Sequence, residues 1–150
     1  MAHSYTNLLY HMVFSTKDRQ AWLSEDMSAL LYQYLGGAIR SEGGIALAIN
    51  GWSDHLHALA KLRQDKAVSD VIRDLKANSS GWIHRTFRGL RGFAWQTGYG
   101  AFTVSQSQVE SVERYIANQR VHHQRVSFQG EFIALLKAHG IEYDERYIWD

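Results

Sequence analysis

Two histidines one residue apart, His55 and His57, stand in the run NGWSDHLHALAKL from Asn50 to Leu62. The residues around them are aliphatic, and the run reads as a buried strand. Side chains alternate across a strand, so both imidazoles project from one face while Leu56 and Ala58 point to the other. At strand rise their Cα atoms are roughly 6.5–7 Å apart, within reach of one metal ion. Two donors do not make a good site, so a third must arrive from elsewhere in the fold. Taken alone, such a pair is more often two hydrogen-bonded or surface histidines than a metal site. Farther along, in SVERYIANQRVHH, Tyr115 and Gln119 are four residues apart. On a helix they are separated by about 40° around the axis. Both border the stripe Val109, Val112 and Ile116, so a phenol and an amide oxygen are offered beside a buried face. An amphipathic helix whose border residues are Tyr and Gln accounts for them as simply.

Composition narrows the chemistry. The chain contains no cysteine, which excludes disulfides, thiolate zinc sites and cysteine nucleophiles. Its 150 residues are 45% apolar and 21% charged, the balance of a globular unit with a core of its own. With no proline and no low-complexity linker, residues 1–150 read as a single domain. The apolar runs are too short to cross a membrane, and Met1 is not followed by a signal-peptide pattern. A cytoplasmic protein is expected. The net charge of +1 means that any nucleic-acid contact must use a local patch. The best basic set is Lys17 and Arg19, with Arg73, Lys76, Arg85, Arg88 and Arg91, although each also suits a solvated surface.

The elements that must position these groups follow from periodicity. A strand is expected over Thr6 to Phe14, followed by the basic loop TKDRQAW. Ser24 caps a helix carrying Met27, Leu30, Leu31, Tyr34, Leu35, Ala38 and Ile39, and SEGG stops it. IALAIN and HLHALAKL are strands joined by the turn GWSD. AVSDVIRDLKANSSGWIHRTF is a second helix whose NSSG centre is poor helix material. FAWQTGYGAFTVS reads as strand, turn and strand, with Tyr99 at the turn. SQVESVERYIANQRVHHQRV is a third helix, and EFIALLKAHG a fourth, ended by Gly140. The tail from Ile141 is rich in Tyr, Ile and Trp, suited to an interface or to folding back on the core. The order β-α-β-β-α-β is the ferredoxin-like split βαβ plan. The fold class is therefore α+β: an antiparallel sheet with helices on one face, the other free for a ligand or partner, and an added C-terminal tyrosine-bearing helix.

Five segments in this order, YTNLLYHMVFSTKDR, NGWSDHLHALAKL, WQTGYGAFTVS, VERYIANQRVHH and LLKAHGIEYDERYIWD, resemble the HUH single-tyrosine transposases of the insertion-sequence two-hundred/six-hundred-and-five group. Ser53 departs from a position where that family commonly has proline or another residue. The resemblance implies that His55, His57 and Gln119 hold a divalent metal, Mg²⁺ or Mn²⁺, and that Tyr115 is the nucleophile. It implies cleavage and rejoining of single-stranded DNA with hairpin ends through a 5′-phosphotyrosine, by a homodimer in which active sites can be shared between subunits. His122 and His123 are candidate bases for Tyr115, or helix-end cations. Two other classes stay open at this point. One is a non-enzymatic single-stranded nucleic-acid-binding module on the same split βαβ plan. The other is a zinc hydrolase using His55, His57 and His11. Within the HUH class, a domesticated nuclease acting on chromosomal repeat palindromes is a close variant.

Overall fold

A computed structural model describes residues 3–149. The first strand, β1 (Leu8–Ser15), starts two residues later than its apolar run suggests. The helix α1 (Glu25–Ser41) is capped by the Ser24 hydroxyl, which accepts the Met27 N–H. Strands β2 (Ile45–Gly51) and β3 (His55–Leu62) form a hairpin, and α2 (Val68–Thr86) follows. The short β4 (Gly100–Thr103) completes a four-stranded sheet of order β2-β3-β1-β4, with every pairing antiparallel. This is the split βαβ arrangement expected from the element order.

Alternation sorts the central strands into two faces. Met12 and Phe14 of β1 join Leu56, Ala58, Ala60 and Leu62 of β3 in one buried cluster with Leu31, Leu35 and Ile39 of α1 and Ile72, Leu75 and Ile83 of α2. Val13, His11, His55 and His57 have the opposite parity and face the other way. The plan leaves that second face free, but the C-terminal helices α3 (Val109–Ala117), α4 (Gln119–His122) and α5 (Phe128–Ala138) lie on it. There Phe128 and Leu136 bury against Val13 and Phe102, with Tyr143, Ile148 and Trp149 of the tail packed around them. The tail thus folds back on its own chain.

Three segments differ from their sequence reading. The NSSG stretch stays helical because Ser79 is buried, donates to the Lys76 carbonyl (3.2 Å) and accepts the Trp95 indole N–H (2.9 Å). The first half of FAWQTGYGAFTVS is not a ladder strand and makes a single bridge, Thr16 to Trp95. The Trp95 ring anchors it instead, edge-on to Phe14 and Phe93 with centroids 4.8 and 4.9 Å away. The third helix is broken at Asn118 (φ −94°, ψ 13°), between α3 and α4. The Asn50 side-chain amide donates to the carbonyls of Ile116 (3.0 Å) and Ala117 (3.2 Å), which would otherwise accept the next helical N–H groups.

Candidate metal centre

Four elements bring side chains to one point on the second face. β3 supplies His55 and His57, both fully buried. α3 supplies Tyr115, the start of α4 supplies Gln119, and His123 follows α4. α5 supplies Glu131, which is 2% exposed. Its Oε1 lies 2.9 Å from His57 Nε2, 3.1 Å from His123 Nε2 and 3.2 Å from His55 Nε2. Its Oε2 accepts the Gln119 amide N–H (2.9 Å) and the Tyr115 hydroxyl. Gln119 Oε1 in turn sits 3.0 Å from His55 Nε2 and 2.9 Å from His123 Nε2.

The outer nitrogen of each imidazole is also held. His55 Nδ1 meets Asp54 Oδ1 at 2.8 Å, His123 Nδ1 meets the Val126 carbonyl at 2.7 Å, and His57 Nδ1 meets His11 Nε2 at 2.7 Å. Each ring is thereby turned so that its Nε2 faces the common centre. Fixing the far nitrogen with a carboxylate or carbonyl is how metal-binding histidines are oriented. His11 stands behind His57 and does not point at the centre, so the three-histidine set considered for a zinc hydrolase does not form through it.

The charge states follow from these contacts. Burial alone would lower the His55 pKa, but hydrogen bonds to Asp54 and Glu131 outweigh it and hold it up at about 9. Burial dominates at His57, which falls to about 4 despite Glu131, and at His11, pushed to about 3 by burial and by His57. Burial would raise Glu131, but hydrogen bonds from His123, His55 and His57 hold it far below the ordinary carboxylate range. Tyr115 is raised, first by burial and then by its contact with Glu131. The centre is a buried carboxylate ringed by imidazoles with a protonated phenol at its rim.

Among the described residues, His55, His57, His123 and Glu131 offer ligand atoms that all lie within 4.8 Å of one another. Imidazole nitrogens with carboxylate and amide oxygens suit a borderline or hard divalent cation, so the residues present fit a metal of that class. The family described as "Transposase IS200 like" matches residues 4–119. The chain belongs to this family. As an IS200-like transposase it is similar to the ISDra2 transposase TnpA of Deinococcus radiodurans, with 24% identity over 117 residues covering 75% of this chain and 84% of that one. Its fold is shared with a crystal structure of a Deinococcus radiodurans R1 protein described as a transposase: TM-score 0.66, 24% identity, 79% of this chain and 95% of that chain. It is shared too with a REP-associated tyrosine transposase bound to a REP hairpin: TM-score 0.62, 18% identity, 84% of this chain and 74% of that chain.

Of the residues singled out in the sequence of this IS200-like transposase, the structure gathers His55, His57, Gln119 and Tyr115, all from one chain. His123 joins the cluster, its Nε2 2.9 Å from Gln119 Oε1 and 3.1 Å from Glu131 Oε1. His122 Nε2 lies 3.3 Å from Glu131 Oε2, buried and without a hydrogen-bond partner among the described residues. The basic set does not reach the cluster. Arg73, Lys76, Arg85, Arg88 and Arg91 belong to α2 and the turn after it, on the opposite layer. Arg73 is paired with Asp70 and Asp74, and Lys76 donates to the Gln96 and Gly98 carbonyls. Burial lowers the Lys76 pKa to about 8. Lys17 and Arg19 flank the end of β1, where Asp18 and Arg19 hold left-handed backbone angles (φ 55° and 56°) and Arg19 stacks on Trp149. Glu131 was missed by the sequence reading, and one signal for it existed. It occupies the apolar stripe of α5, between Phe128 and Leu135, where an unpaired carboxylate has no reason to be.

Proposed function

We propose that this transposase-family chain acts, across residues 1–150 as one HUH domain, by cleaving and rejoining single-stranded DNA at element ends through a 5′-phosphotyrosine. The observation that carries the reading is the meeting of the Tyr115 hydroxyl with the imidazole cluster on a single carboxylate, Glu131. Tyr115 is the nucleophile. Its oxygen forms a bond to the scissile phosphorus, the bond from phosphorus to the 3′-oxygen breaks, and the released 3′-hydroxyl carries a proton away. Glu131 Oε2 already accepts a hydrogen bond from the Tyr115 hydroxyl and orients its oxygen. Burial and that carboxylate keep the phenol protonated at rest, so its proton must leave as the oxygen attacks, and Glu131 is placed to take it. A second 3′-hydroxyl then attacks the phosphotyrosine, restores the phosphodiester and returns the phenol, with no ATP required.

His55, His57 and Gln119 are assigned as metal-holding residues. A divalent cation there, Mg²⁺ or Mn²⁺, supplies Lewis-acid charge to the phosphate when bound. Nitrogen-rich ligation favours Mn²⁺ over Mg²⁺ in vitro. The family resemblance implies a homodimer whose active sites can be shared between subunits, and within one chain Tyr115 stands beside His57 with ring centroids 5.7 Å apart. The substrate class is single-stranded DNA with hairpin ends, and Lys17, Arg19, Arg73, Lys76, Arg85, Arg88 and Arg91 are proposed contacts to it, in the cytoplasm. Likeness to a REP-associated enzyme solved with a REP hairpin supports a close second reading, a domesticated nuclease acting on chromosomal repeat palindromes.

Incubation with single-stranded element ends and Mn²⁺ is expected to give a covalent protein–DNA band. Tyr115→Phe should abolish the band and leave DNA binding largely intact. His57→Ala should abolish cleavage. A band that survives Tyr115→Phe assigns the nucleophile elsewhere.

A further inference from the structure

The geometry points to Glu131 and His123 as additional ligands of the metal centre, with Glu131 bridging it to Tyr115, so that α5 is part of the active site. This rests on the metal-dependent reading above and extends it to two residues outside the matched segment, which ends at residue 119.

The donor spacing is the first support. Around a six-coordinate ion with bonds of about 2.1 Å, neighbouring donors stand about 3.0 Å apart. The contacts of Glu131 Oε1 with the three Nε2 atoms, at 2.9, 3.1 and 3.2 Å, have that length, as do those of Gln119 Oε1 at 2.9 and 3.0 Å. The second support is the orientation of His123. Its Nδ1 is fixed by the Val126 carbonyl, and its side chain is only 2% exposed. That treatment matches His55, whose Nδ1 is fixed by Asp54. The third is the burial of Glu131. A carboxylate on the apolar stripe of a short helix is costly unless paired, and here both oxygens are engaged, Oε1 with the imidazoles and Oε2 with Tyr115 and Gln119. One carboxylate therefore spans from the ligand cluster to the nucleophile. It fixes the Tyr115 oxygen beside the cation, and it adds a hard oxygen donor and a negative charge to a nitrogen-rich set.

Mn²⁺ alone is the probe, followed by calorimetry and by the electron spin resonance of the free ion, using wild type, Glu131→Ala, Glu131→Gln, His123→Ala and His57→Ala. Circular dichroism checks that each variant folds, and Glu131→Gln keeps the side-chain volume should the alanine variant not fold. Glu131→Ala and His123→Ala are expected to weaken Mn²⁺ binding by roughly 10-fold or more, with Glu131→Gln also weakened. Mn²⁺ should raise the melting temperature of wild type more than that of these variants. Unchanged or tighter binding in Glu131→Ala or Glu131→Gln overturns the inference, since the carboxylate would then be competing with the cation for its place. Wild-type binding in His57→Ala instead overturns the metal reading of the histidine pair.

Discussion

At the scale of single residues, the centre is a balance of groups that burial and charge pull in opposite directions. His55 has a folded pKa of about 9, above its ordinary 6.5. Its contribution to stability is fully present below 6.5 and is lost as pH rises through 9. His57 and His11 run the other way, with folded values of about 4 and about 3. Both are neutral in the fold, and they weigh against it increasingly as pH falls from 6.5 through those values. The depressed Glu131 adds to the acid side, because its stabilisation disappears once the carboxylate is protonated. The metal-free protein should therefore be most stable near neutrality and lose stability in both directions. Thermal melts in chelator across the pH range measure this, and stability rising steadily from neutral to alkaline pH would contradict it. These residues differ in how far they were legible. His55 and His57 were readable as a pair because strand alternation fixes their common face, whereas the spacing that set Tyr115 beside Gln119 assumed one continuous helix, and it is after the break at Asn118 that Gln119 meets His55 and Glu131. Glu131 carried one signal, a carboxylate on the apolar stripe of α5, but its partners come from β3, α3, α4 and the segment after α4, and no local spacing links them to it.

At the scale of elements, the break at Asn118 sets the geometry of the centre. An unbroken helix would carry Gln119 and His123 onward along the axis of α3. The actual chain turns there because Asn50 on β2 takes the carbonyls of Ile116 and Ala117. The sequence reading gave one continuous helix, because the Val109, Val112 and Ile116 stripe has no breaker in it and Asn118 alone is a weak one. The cause lies 66 and 67 residues away on another element, where local pattern has no reach. Asn50→Ala removes both contacts and frees those carbonyls to extend the helix. It should cost about 1–2 kcal/mol of stability in denaturant titration. The same variant should weaken Mn²⁺ binding while leaving His55 and His57 on their strand. Wild-type Mn²⁺ affinity in Asn50→Ala would mean that the break does not set the positions of Gln119 and His123.

At the scale of the whole molecule, the sheet separates two cores of unequal size. One face seals α1 and α2 in a large apolar cluster. The other holds α5 through Val13, Phe102, Phe128 and Leu136, with tail residues including Trp149 around them and the polar centre beside them. The split βαβ plan with its antiparallel sheet was legible from the succession of elements, whereas the covering of the second face was not, because the apolar tail suited an interface as well as a fold-back. A smaller apolar contact gives a lower free energy of local opening. Amides of α5 are thus expected to exchange with solvent faster than those of β1, β3 and α2. If Glu131 and His123 join the metal centre, a cation ties α5 to β3 and adds its binding free energy to the closed form alone. Hydrogen exchange with and without Mn²⁺ should show protection gained mainly in α5 and the segment following α4, with α2 almost unchanged. Equal protection across both cores would mean that the ion stabilises the fold as one unit, and that α5 is no more separable than the helices on the far side of the sheet.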